Sequence, residues 1–173
     1  MNNIKSDFNR KKQIYQADGA SPGTLRLLLS DGSSANILYR TMIWCDNKKL
    51  SPLAFALQYL NKFLNSCVIG SGARFGQGFV IMHPVGIVIN SKVVGGENIT
   101  LESGVVIGDE KGQSPRLGSN IFIGAGAKII GNVVIGDNVK IGANAVVTKD
   151  APANSTMLGI PARAMVKKTE TIV

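Results

Sequence analysis

A mainly β fold, wound as a parallel β-helix with a small α-helical cap at its N-terminal end, is the fold class this 173-residue sequence predicts. Two observations carry that prediction. Apolar residues recur every six positions: Ile69, Phe75, Ile81, Ile87, Val93, Ile99, Val105, Leu117, Ile123, Ile129, Ile135, Ile141 and Val147. Only Lys111 breaks the series, and no slip in phase is visible. Glycine often follows the leading residue, as in Ile69-Gly70, Phe75-Gly76, Ile123-Gly124, Ile135-Gly136 and Ile141-Gly142. A six-residue period is neither helical nor that of a flat strand. It belongs to short strands that coil, each turn bonded to the next. Second, residues 1–66 carry no hexads and read as helical.

The elements follow in order. The opening MNNIKSDFNRKK is polar and has no apolar h-region, which excludes a signal peptide. No apolar run approaches the ~18 residues that a membrane span needs. An apolar segment from Ala35 to Trp44 predicts one helix. Ser51-Pro52 predicts the start of another, with serine as N-cap and proline at the first helical position. After it, Leu53, Ala56, Leu57, Leu60, Phe63 and Leu64 recur at helical spacing, and Phe55 and Tyr59 widen that stripe. Residues 1–66 therefore form a helical cap, which closes the open end of the coil and covers its unpaired strand edges. Residues 67–152 form the coil. From Ile69 it holds fourteen hexads, three to a turn of eighteen residues, hence between four and five turns, stacked about 4.8 Å apart. Lys111 as an inward residue would be costly, so the segment around it bulges out as a loop. Pro152 ends the strand pattern, and residues 153–173 form a C-terminal segment with a basic tail.

Composition agrees. Hydrophobic content of 45% is ample for a core, and aromatic content of 6% suits a narrow coil interior. Net charge of +8 fits a solvated surface or an anionic ligand. Nucleic-acid binding is disfavoured, since no basic run alternates with aromatics. Cys45 and Cys67 lack metal-ligand spacing and read as reduced thiols of a cytoplasmic protein.

One histidine is present, His83, in Ile81-Met82-His83-Pro84-Val85-Gly86. It takes the third place of its hexad, a corner that can face outward. Around it, the segments Gly78-Phe79-Val80-Ile81-Met82-His83, Ile123 to Asn132, Ile141 to Val147 and Gly159-Ile160-Pro161-Ala162-Arg163 resemble the hexapeptide-repeat acyltransferases. Within them the chain is similar to the serine O-acetyltransferase family, where Tyr39-Arg40 and Trp44 also fit. The resemblance covers roughly residues 15 to 166. It implies a left-handed coil, a homotrimer, acetyl-CoA as co-substrate with no metal, and transfer of an acetyl group to a small hydroxyl acceptor. It puts His83 in the place of the general base, a role that a histidine's ordinary near-neutral pKa suits. It puts Asp18 where an acid helps to hold the acceptor. It puts Gly108, Asp109, Ala125, Lys140, Ala143 and Arg163 along the acetyl-CoA side, with Lys140 and Arg163 near the phosphates.

The sequence also departs from that family. Where the family has the carboxylate that orients the histidine, this chain has Val68. The acid before the histidine is Met82, and the loop Arg-His pair that grips the serine carboxylate aligns with Gln113-Ser114. The acetyl-CoA side is thus kept and the serine side, at Met82, Gln113 and Ser114, is altered. A hydroxyl other than serine's is expected, with a sugar or polysaccharide hydroxyl as the natural alternative. Without a carboxylate partner, the tautomer of His83 must be set by a backbone carbonyl or a neighbouring subunit. A zinc site on the same coil needs three histidines, and a single one cannot supply them. A scaffold that has lost activity is the remaining reading.

Overall fold

The computed structural model describes residues 2–166; the basic tail at 167–173 lies outside the described residues. Four helices come first: α1 (Asn2–Ala17), α2 (Thr24–Leu28), α3 (Ser33–Asn47) and α4 (Ser51–Asn65). The strands follow as β1 (Val68–Ile69), β2 (Arg74–Phe75), β3 (Val80–Ile81), β4 (Val88–Ile89), β5 (Val94–Gly95), β6 (Thr100–Leu101), β7 (Val106–Gly108), β8 (Arg116–Leu117), β9 (Phe122–Ile123), β10 (Lys128–Ile130), β11 (Val134–Ile135), β12 (Lys140–Ile141), β13 (Val146–Val147), β14 (Ser155–Leu158) and β15 (Arg163–Val166). They stack into three parallel faces. The first holds β1, β4, β7, β10 and β13; the second holds β2, β5, β8 and β11. The third holds β3, β6, β9, β12 and β14, and β15 closes it antiparallel.

Every apolar hexad leader is buried, none more than 6% exposed. Lys111 is exposed at φ 52 in an excursion between β7 and β8, as its charge requires. The phase, however, does slip. Ile69 pairs with Ile89, Phe75 with Gly95 and Ile81 with Leu101, so the first turn takes twenty residues. Gly95 pairs with Leu117, Leu101 with Ile123 and Ile107 with Ile129, twenty-two residues on. Later pairs such as Leu117 with Ile135 and Ile123 with Ile141 return to eighteen. Two extra residues lie between Ile81 and Ile89, and four between Ile107 and Leu117. Their sum is one hexad, so the frame after Leu117 matches the frame before Met82. In between, Ile87, Val93, Ile99 and Val105 occupy a second inward position, two residues before the strand residue. That position is buried all along the coil, as at Cys67, Phe79, Ile121 and Ala127.

The helices sit on the first turn of the coil. Tyr39 of α3 packs edge-on to Phe75 at 6.1 Å and tilted on Phe79 at 5.3 Å, and those two phenylalanines stack at 4.2 Å. Asn36 donates to the Phe79 carbonyl at 2.7 Å and accepts from the Ile81 amide at 2.7 Å. Arg40 donates from Nε and Nη2 to both carboxylate oxygens of Asp7, at 2.7 and 3.0 Å, and from Nη1 and Nη2 to the carbonyls of Phe75 and Gly76. The strand ends that the cap covers thus find polar partners inside it.

Two sequence expectations about α4 are corrected. Leu50, not Ser51, is its N-cap, no side chain caps it, and Pro52 falls inside the first turn. The apolar stripe expected in the cap mostly faces outward: Leu53, Phe55, Tyr59, Leu60, Phe63 and Leu64 are exposed, Leu57 packs half-buried against the core, and Ala54 and Asn61 are buried. Ala54 lets α3 and α4 approach closely, and the Asn61 amide meets the Ala35 carbonyl at 3.2 Å. Larger residues at those two places would hold the helices apart.

Candidate functional site

The chain runs from the first face to the second, then the third, then back to the first. The edge where the third face turns into the first carries His83 at the first level. Glu102 and Ser103 follow at the second level, Ala125 at the third and Ala143 at the fourth. Backbone bonds tie these levels together. Met82 N donates to Leu101 O at 2.9 Å, Glu102 N to Ile123 O at 3.0 Å, Gly126 N to Ser103 O at 2.7 Å and Asn144 N to Ala125 O at 2.8 Å. Ala125 and Ala143 are exposed and one turn apart. Their methyl groups leave room for an extended ligand along the edge, and at about 4.8 Å per level the edge runs about 14 Å from His83 to Ala143. Arg163 pairs with Leu158 at the far end of the same face.

His83 lies within the two-residue insertion after β3, and that insertion pushes its ring out of the coil. Met82, next to it, is 8% exposed. The expectation that the ring has no carboxylate partner is overturned. Nδ1 lies 3.3 Å from Asp31 Oδ2, and Nε2 lies 4.0 Å from Glu102 Oε2. Burial raises the Glu102 carboxyl above the ordinary range, and the neighbouring His83 opposes this. Val68, at the place of the family's carboxylate, pairs with Val88 in the first face.

Asp31 reaches the ring through the turn between α2 and α3. Gly32 in that turn has φ 75, and a Cβ there would overlap the Ile81 carbonyl oxygen, so the backbone approach needs glycine. Lys11 of α1 fastens the same turn. Its buried ammonium donates to the Asp31 carbonyl, to Ser33 Oγ at 3.0 Å and to the Ile81 carbonyl at 3.4 Å. Burial pulls the Lys11 pKa from 10.5 down to about 8. Between about pH 8 and 10.5 the unfolded chain holds a proton that the folded chain has released, so this residue's contribution to stability rises with pH. Urea unfolding of the protein and of Lys11→Met should therefore show the difference, wild type minus variant, growing in favour of the wild type across that range. A constant difference would contradict the assignment.

A cleft of about 450 Å³ opens between α1 and the third face, lined among others by Arg10, Asp18, Met82, Glu102, Asn120 and Lys140. It unites Asp18 and Met82, expected on the acceptor side, with Lys140, which the resemblance had put near the cofactor's phosphates. It adds Arg10, whose buried Nε finds no hydrogen-bond partner among the described residues. The remaining candidates lie elsewhere. Gly108, Asp109, Gln113 and Ser114 belong to the excursion between the first and second faces, a different edge of the coil. There Asp109 accepts from the Gly112 amide at 2.8 Å, and the Ser114 hydroxyl lies 3.1 Å from Asn90 Oδ1 and 3.3 Å from Asp109 Oδ2. Within one chain they organise their loop and do not reach His83. Sequence reasoning missed Asp31, Lys11 and Glu102. A two-residue slip after Ile81 is the signal that would have stacked Glu102 on Met82.

Comparison with known proteins adds a lineage. The family model described as bacterial transferase hexapeptide (six repeats) matches residues 114–149. A serine acetyltransferase of Synechococcus elongatus is 36% identical over 165 residues, 92% of this chain and 66% of that protein. The matched stretch thus spans just under two thirds of that relative's length. A serine acetyltransferase of Helicobacter pylori is 38% identical over 161 residues, 90% of this chain and 94% of that one. Among solved structures, a serine acetyltransferase in complex with CoA matches with TM-score 0.85 and 30% identity, over 95% of this chain and 68% of the other. The Neisseria gonorrhoeae serine acetyltransferase in complex with serine matches with TM-score 0.85 and 33% identity, over 94% and 67%. With this much of the chain aligned at this identity, and with the coil and its N-terminal helices in common, the chain belongs to the serine acetyltransferase family of hexapeptide-repeat transferases.

Proposed function

We infer that the protein transfers the acetyl group of acetyl-CoA to a hydroxyl, with His83 as general base. The observation that carries this reading is that His83, Ala125 and Ala143 lie along one edge of the coil, where the third face turns into the first, with both alanines exposed. Acetyl-CoA supplies an activated acyl group as its thioester. Ala125 and Ala143 would let its pantetheine arm lie against the coil, and Arg163 would meet its anionic end. His83 takes the proton of the acceptor hydroxyl as that oxygen attacks the carbonyl carbon. The carbon–oxygen bond forms, the carbon–sulfur bond breaks, and the imidazolium returns the proton to the departing sulfur. A relative's structure with CoA supports the co-substrate.

The acceptor is inferred to differ from serine. The side chain before His83 is the buried, uncharged Met82, and Gln113 and Ser114 lie in the excursion between β7 and β8, where Ser114 bonds Asn90 and Asp109. The cleft instead offers Asp18, Glu102, Asn120 and Lys140. This mixed hydrogen-bonding wall suits the several hydroxyls of a sugar. Thiol release from acetyl-CoA, measured with L-serine and with a panel of sugars and glycans, should show faster saturable turnover with a sugar. Brisk turnover of serine at low concentration would overturn the altered acceptor and leave the acetyl transfer standing. Thiol release with no acceptor in the panel, and no rise in melting temperature on adding acetyl-CoA, would point to the inactive scaffold.

A further inference from the structure

A histidine serves as a base only at the nitrogen that carries no proton, so something must choose between its two ring nitrogens. In this chain the family's place for an orienting carboxylate holds Val68, and the coil's Glu102 lies on the Nε2 side of the ring. The helical part supplies a carboxylate on the Nδ1 side. We propose that Asp31 is the positioning residue of His83: it accepts the Nδ1–H hydrogen bond and thereby leaves Nε2 as the basic nitrogen. This rests on the reading of His83 as the base.

Three features carry the assignment. The first is the contact itself, Nδ1 to Asp31 Oδ2 at 3.3 Å, with Nε2 turned towards Glu102. Glu102 lines the cleft with Met82, so the free nitrogen faces the side where an acceptor would sit. The second is that the turn bearing Asp31 is held against the strand end just before His83. Gly32 allows its backbone to touch Ile81, and Lys11 binds the Asp31 and Ile81 carbonyls together. One buried ammonium therefore couples the place of the carboxylate to the place of the ring. The third is exposure. The side chains of His83 and Asp31 are 54% and 75% exposed. An exposed pair contributes little to stability, so the Asp31 side chain is not needed to hold the fold and can be replaced while the turn stays pinned by Lys11 and Gly32.

Because His83 is the only histidine in the protein, the assignment can be read without any turnover. Protein labelled with ¹⁵N in the imidazole ring gives one pair of ring signals. At a pH where the ring is neutral, the wild type should carry its proton on Nδ1. Asp31→Ala should move it towards Nε2, the tautomer that free imidazole side chains favour in water, and Asp31→Glu should restore it at least in part. Melting temperature should stay close to the wild type in both variants. With the true acceptor, Asp31→Ala should lower turnover by about 10–100-fold, less than the ~10⁴ seen for a buried partner, while the KM for acetyl-CoA is unchanged. A wild-type ring already protonated on Nε2, or a tautomer unmoved in Asp31→Ala, would overturn the role given to Asp31. Neither result would touch the acetyl-transfer reading, which stands or falls on thiol release.

Discussion

His83→Ala is expected to lower turnover by ~10²–10⁴, the usual cost of removing a general base, while acetyl-CoA still raises the melting temperature as in the wild type. On the proposed reading the two readouts separate, because the base and the cofactor side lie at different levels of one edge. His83 occupies the first level; Ala125 and Ala143 occupy the third and fourth. Removing the ring leaves those lower levels and their backbone bonds unchanged, so the cofactor side should not register the loss. No second histidine can take over the proton. The nearby carboxylate, Glu102, has its Oε2 4.0 Å from the ring nitrogen it would replace. The check is steady-state thiol release with the true acceptor, alongside thermal melts across acetyl-CoA concentrations. Wild-type turnover in the variant would remove His83 from the mechanism.

Arg40→Ala is expected to cost about 3–5 kcal/mol of stability, the range for breaking a buried ion pair from one side. Asp7 is only 2% exposed and would lose its two contacts to the guanidinium. The carbonyls of Phe75 and Gly76 would lose their donors in the same step. The Phe79 amide and the Asn36 amide would remain on Asp7, too little for a buried anion. Burial already raises the Asp7 carboxyl above the ordinary range in spite of Arg40. Without the guanidinium it rises further, and a carboxyl raised in the folded state is penalised as pH climbs through the ordinary carboxylate range towards the folded value. The stability loss should therefore be largest at neutral pH and shrink on acidification. Replacing both partners, Asp7→Leu with Arg40→Met, should recover much of the loss because no charge is left buried. Urea unfolding at neutral and mildly acidic pH reads the wild type and both variants. A loss under about 1 kcal/mol for Arg40→Ala would show that water reaches Asp7 and that the pair is not sealed.

The coil was legible in the sequence because its inward positions have a local rule. A strand of two residues can bury only one side, so apolar residues must recur with the turn, and they do from Ile69 to Val147. The loop at Lys111 was legible for the same reason, since a charge cannot take an inward place. What stayed hidden is the slip at His83. Two inward positions, two residues apart, are both apolar, so an insertion of two residues exchanges one for the other and leaves the pattern intact. The four-residue excursion near Lys111 then completes a whole hexad and restores the frame. The length of the first turn is set by pairing such as Ile69 with Ile89, which a linear pattern does not contain.

The helical part was less legible. Apolar spacing located α4 but not its buried side, because that side was chosen by Ala54 and Asn61 fitting against α3. The site shows the same division. His83, Ala125, Ala143 and Met82 were named from the sequence through its resemblance to the serine O-acetyltransferases, whose motifs are local stretches of chain. Asp31 was not, because fifty-two residues separate it from His83 and its place depends on Lys11 and Gly32 docking a turn onto Ile81. The sequence by itself determined the coil and its inward positions, and its resemblance to a family pointed to His83 as the candidate base. Only the tertiary structure decided which carboxylates flank that base, because a contact between a helical turn and a coil corner obeys no period that either segment carries.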